Sequence, residues 1–109
     1  MALNHVKSGE IVDLRPLGER LPGAKTTALA KTEAFEAIRL VVPAGRDIAP
    51  YEVAGPITLH CLEGRVVLEL PDAGVELSAG QWIYLDGGVR HALKGLENSS
   101  LLLTILFDP

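Results

Sequence analysis

Between residues 25 and 107 the chain is a succession of short runs rich in Val, Ile, Leu and Thr, each closed by Gly, Pro, Asn or Asp. Apolar residues do not recur at helical spacing, so the pattern is that of an all-β sandwich or barrel. It predicts strands at 10–14, 25–31, 35–42, 57–62, 65–70, 75–78, 81–85, 90–95 and 100–107. The breaks fall at PAG (43–45), PYEVAGP (50–56), EG (63–64), PDAG (71–74), AG (79–80), DGG (86–88) and ENSS (97–100), residues suited to chain reversal. The segment 15–24, RPLGERLPGA, is the least strand-like and is expected to be a loop or short turn packed over an edge strand.

Two-residue alternation sorts the side chains within each run. In 57–62, Ile57, Leu59 and Cys61 share the face expected to point into the barrel, and Thr58, His60 and Leu62 share the other. Trp82 and Tyr84 share one face of 81–85, as walls of a ligand cavity or as aromatic core. In 101–107, LLLTILF, both faces are apolar and call for cover on both sides. A second subunit is the expected cover, because so small a chain has little else to supply it.

Composition narrows the function classes. A chain of 109 residues with 48% hydrophobic and 22% charged residues is expected to be one globular domain over 1–109. The formal net charge of -4, from 14 acidic and 10 basic residues with no basic run, argues against a nucleic-acid or anionic-membrane surface. The one cysteine, Cys61, has no intrachain partner, and the opening MALNHVKSG lacks the basic start and apolar core of a signal peptide, so a cytoplasmic location is expected. The run 101–107 is far shorter than the roughly 20 residues of a membrane-spanning helix.

Two glycine-framed stretches carry a definite spacing. The first, 45–64, sets Tyr51, Val53 and Ile57 between Gly45 and Gly64. The second, 80–95, reads GQWIYLDGGVRHALKG and sets Asp86, Gly88 and His91 between Gly80 and Gly95, with 15 residues, 65–79, between the two. In this spacing the chain resembles a small single-domain cupin of the RmlC-like kind, whose motifs are written G-x5-H-x-H-x3,4-E-x6-G and G-x5-P-x-G-x2-H-x3-N. The resemblance is good over about 40–109 and implies a double-stranded β-helix, the jelly-roll barrel. In metal-binding cupins, two histidines and a glutamate of the first motif and the histidine of the second hold a divalent ion. The matching positions here are Tyr51, Val53, Ile57 and His91, so the last is the one retained. Valine and isoleucine offer no lone pair, and the resemblance therefore implies a barrel without the standard metal site or any cofactor. The motif's proline is replaced by Asp86 and its final asparagine by Gly95.

His91 is the first candidate for chemistry, as a general base or hydrogen-bond donor inside the barrel, or else as a retained residue bonded within a closed core. Tyr51 is its candidate partner, an acid to its base as in the metal-independent sugar epimerases of this superfamily, or a filler of the space a metal leaves. Cys61, on the inward face, is a soft ligand or low-pKa thiol if it touches His91, and otherwise a small core hydrophobe. Asp86 is expected to cap nearby backbone amides from its turn. The expected ligand-binding set is thus His91, Tyr51, Cys61, Trp82 and Tyr84, around a small, largely apolar or neutral organic molecule, with or without catalysis. Two alternatives stand beside it. One is a metal-dependent oxygenase or isomerase with a site rebuilt around His91 from Cys61, His60 or Tyr51; the other is a sensor or scaffold acting through a homodimer surface.

Overall fold

The computed structural model describes residues 5–51 and 53–107, and of 49–51 the backbone. Two antiparallel sheets make up the molecule. One runs in the order β1 (Thr27–Lys31), β2 (Phe35–Val42), β9 (Ser99–Leu106), β4 (Ile57–Glu63) and β7 (Trp82–Leu85). The other runs β3 (Asp47–Tyr51), β8 (His91–Gly95), β5 (Arg65–Glu69) and β6 (Gly74–Ser78). The chain changes sheet at almost every connection, which is the jelly-roll path the motif spacing implied. No helix among the described residues is long and apolar enough to cross a membrane.

The inner faces form one core. In β4 the alternation reads as expected, with Ile57, Leu59 and Cys61 buried and Thr58 and His60 only half-buried. From the facing sheet, Val66, Leu68, Leu77 and Leu93 close on them. β9 sits in the middle of its sheet, paired with β2 on one side and β4 on the other. Leu101 and Leu103 point into the core, while Leu102 and Thr104 lie half-buried on the outer face.

Three expectations are corrected. Residues 10–14 are not a strand; Val12 and Leu14 are half-buried, but Ile11 is 93% exposed and the segment joins neither sheet. The segment 15–24 contains a 3₁₀ turn, Gly18–Gly23, which buries Leu21. It is held by β2 and β4, neither of them an edge: Arg39 Nη2 donates to the Asp13 carbonyl at 2.7 Å, and the Leu17 and Gly18 amides donate to the Glu63 carboxylate at 2.9 and 3.2 Å. Finally, β3 went unpredicted because Pro50 sits inside it. β3 is an edge strand, where a missing N–H costs least, and its register against β8 slips between Ile48 and Tyr51.

Glu63 pins the amino-terminal segment to the sheet and makes that contact acid-sensitive. Burial alone lifts its carboxyl, but the Leu17 amide, the Ser100 hydroxyl, the Gly18 amide and the nearby Arg39 charge together hold it below the ordinary 4.5. A depressed folded value stabilises the contact fully above the ordinary one and loses that contribution as pH falls through the lowered value. The amide resonances of Leu17 and Gly18 are expected to titrate upfield in that acid window. Glu63→Gln should leave them near their acid positions at neutral pH with the β-sheet signal unchanged; resonances indifferent to both changes would remove Glu63 from this role.

Candidate functional site

His91 opens β8 and, two residues from buried Leu93, turns its ring inward; it is 2% exposed. Its Nδ1 lies 3.0 Å from the Val89 carbonyl oxygen. A carbonyl can only accept, so Nδ1 carries the hydrogen of this bond and orients the ring. The turn that delivers His91 is tied to the first motif: the Gly88 amide donates to the Val53 carbonyl at 2.7 Å, and the Val89 amide lies 3.4 Å from the Asp86 carbonyl. The carboxylate of Asp86 does not cap backbone amides as expected. It accepts the Tyr84 hydroxyl at 2.6 Å, and that hydrogen bond pushes the Tyr84 phenol above its usual range.

The two motifs meet where the sequence aligned them. Tyr51 is the backbone partner of His91 across the β3 and β8 pair, and its side chain lies outside the described residues. Val53 packs against the core and Ile57 is 2% exposed within it. Among the described residues, no three His, Cys, Asp or Glu side chains gather as a metal site would require. Gly95, standing where the motif has asparagine, also has a packing reason: a Cβ there would run into the Pro43 carbonyl.

Two open clefts lie at this end of the barrel. One, of about 240 Å³, is bordered by Glu69, Arg90, His91 and Ala92. The other, of about 380 Å³, lies between the turn at Asp72 and Ala73 and the strand end at Tyr84, Leu85, Asp86 and Val89. Leu70 and Pro71 border both. A ligand here would meet apolar surface from Leu70, Pro71, Ala92, Leu85 and Val89, interrupted by Glu69, Arg90 and His91 in the first cleft and by Asp72, Tyr84 and Asp86 in the second.

The remaining candidates divide between the core, the outer sheet face and the rim of the larger cleft. Cys61 is fully buried, with Sγ 3.4 Å from the Glu63 carbonyl oxygen and 3.6 Å from that of Gly64. It is four residues along β4 from Ile57, roughly 13 Å at the rise of a strand. Burial pushes its thiol up, so it is not the activated thiolate that contact with His91 would make. His60 faces outward, level with Leu102 and Trp82 on the neighbouring strands. Trp82 shares that outer face at 59% exposure and does not wall the barrel; Tyr84, at 49%, borders the larger cleft from its rim. Sequence reasoning passed over Leu70, Pro71 and Arg90. The PDAG turn was visible as a turn, but its place opposite the DGG turn comes only from the sandwich.

No family model matches the sequence, nor does any curated protein. Solved structures do match. A cupin superfamily protein from Desulfitobacterium hafniense is similar at 18% identity and a TM-score of 0.78, over 99% of this chain and 100% of that one. A conserved protein of unknown function from Streptococcus pyogenes is similar at 17% identity and a TM-score of 0.78, over 100% and 97%. An RmlC-like cupin from Shewanella frigidimarina is similar at 18% identity and a TM-score of 0.71, over 94% and 89%. The fold is therefore the RmlC-like cupin jelly roll. Identities this low speak to the fold alone, and function has to come from the site.

Proposed function

We propose that this protein is a cytoplasmic cupin barrel that works without the metal centre common in the fold and binds a small, largely apolar or neutral organic molecule at the barrel mouth. His91 is its buried polar contact, and Tyr51, level with it on β3, is the second. The observation that carries the reading is a buried, oriented imidazole bordering a cleft walled by Leu70, Pro71 and Ala92, with Glu69 and Arg90 at its edge and a second cleft adjoining it across Leu70 and Pro71. The metal-free part rests on donor chemistry: Val53 and Ile57 are aliphatic and packed with the core, so the four motif positions do not fit a divalent ion. Rebuilding such a site around His91 is disfavoured by Cys61 lying toward the far end of β4 and His60 facing outward.

A screen of small neutral organic compounds by amide chemical-shift mapping tests the reading. Saturable shifts are expected at Leu70, Leu85, Val89 and His91, with affinity falling about tenfold in His91→Gln, the value of one hydrogen bond at the upper end of its range. Hits that never touch these amides would overturn it. A stoichiometric transition metal in protein purified without chelator, lost in His91→Ala, would overturn the metal-free part.

A second role, as a homodimeric scaffold, is favoured by the outer face of the five-stranded sheet, where Trp82, Tyr84 and Leu106 are all substantially exposed. Light scattering distinguishes it: a dimer that Trp82→Glu converts to monomer supports the role, and a wild-type monomer removes it.

A further inference from the structure

Outside the barrel, on the outer face of β2, a third cleft of about 550 Å³ is walled by Asp13, Arg15, Pro16, Leu17, Arg20 and Arg39. Three guanidinium groups, two from the 15–24 segment and one from β2, thus face one space with a single carboxylate among them. Asp13 grips Arg15, with Nη2 to Oδ2 at 2.6 Å and Nε to Oδ2 at 2.9 Å, and that hydrogen bonding holds its carboxyl down to about 2. Glu63, the other carboxylate near Arg39, is engaged by the Leu17 and Gly18 amides and the Ser100 hydroxyl. Against the three guanidinium charges stand the Asp13 carboxylate in the wall and the Glu63 carboxylate beside Arg39, which leaves an excess of one positive charge.

Arg39 is the telling member. Its Nη2 donates to a neutral carbonyl, that of Asp13, and its buried Nε has no hydrogen-bond partner among the described residues. A half-buried guanidinium whose Nε is unsatisfied carries a desolvation cost even with Asp13 and Glu63 nearby. An anion entering the cleft lowers that cost through Coulomb attraction alone, without touching Nε.

We propose that this cleft binds the phosphate group of a small phosphate monoester. The Arg20 fork, with the N–H groups of Arg15 and Arg39 that Asp13 does not take, suits a tetrahedral phosphate, whose terminal oxygens point in three directions, better than a planar carboxylate with two. Pro16 and Leu17 give the organic part of the ligand an apolar wall. The site is separate from the barrel mouth and stands whether or not the mouth binds anything.

The test is calorimetric titration at constant ionic strength with inorganic phosphate, phenyl phosphate and succinate, alongside nitrogen-15 spectra of the arginine side chains. Saturable binding is expected for both phosphates, tighter for phenyl phosphate, with shifts at Arg15, Arg20 and Arg39. Arg39→Gln and Arg20→Gln are each expected to weaken it about tenfold, the loss of one charge-assisted hydrogen bond, and Arg46→Gln to leave it unchanged. Arg20 is exposed, so its variant keeps the test readable if Arg39→Gln disturbs the sheet. No saturation by phosphate, tighter binding of succinate, or phosphate binding indifferent to Arg20→Gln would overturn the proposal.

Discussion

Gly64→Ala is expected to cost about 3 kcal/mol or more, enough to lower the midpoint of thermal unfolding by roughly 10–20 °C in a domain this size. Gly64 joins β4 to β5 at a φ of +85°, where an L side chain is strained. That strain accounts for about 1–2 kcal/mol. The remainder comes from packing, since a Cβ would strike the Asn98 carbonyl and the Ser99 hydroxyl and crowd the Ser99 Cα. None of these can swing aside. Ser99 is fully buried, its hydroxyl 3.0 Å from the Arg65 carbonyl oxygen and 2.8 Å from that of Glu97, and it begins central strand β9. Gly80→Ala is the matched comparison: its φ is +88°, but nothing lies within 4 Å of the added Cβ. It should lose only the strain, about 1–2 kcal/mol. Equal losses in urea unfolding would mean that the close approach of the 64 and 98–99 turns does not contribute.

Leu101→Ala is expected to cost about 3–4 kcal/mol, within the range for a large side chain deleted from a rigid core. Leu101 is fully buried on the central strand, level with Leu40 on β2 and Cys61 on β4. A ladder with neighbours on both sides cannot collapse into the gap as an edge strand can. Leu106→Ala, on the same strand but 39% exposed, should cost less than about 1 kcal/mol. Denaturant midpoints of the two variants decide the matter: similar values would place the core elsewhere than between Leu101 and the facing sheet.

The fold was largely legible because a strand records its burial every second residue. Ile57, Leu59 and Cys61 alternate with Thr58 and His60, and the inside and outside of β4 follow directly. Where alternation and burial part company, the reading failed. Ile11 and its neighbours alternate without any sheet to join, whereas β3 joins a sheet despite Pro50 because it needs hydrogen bonds on one side only. The candidate site was legible in part. The motif resemblance grouped positions 51 and 91, which the β3 and β8 register brings level, but it carried no information about where Cys61 lies along the core, or that Trp82 faces away from it.

Local order along the chain determined most of the strands and turns, since each depends on residues within a few positions of one another, and the motif resemblance implied the place of His91 inside the barrel. Tertiary structure alone decided what surrounds that imidazole: the turn at 70–73 is brought beside the turn at 86–89 by the stacking of two sheets, over a separation that no local pattern spans. It also decided the arginine cleft. Arg15, Arg20 and Arg39 form no basic run, and they meet because Glu63 and Arg39 draw an irregular segment across the sheet. Charge acts through space, so a cluster of this kind exists only after the chain has folded.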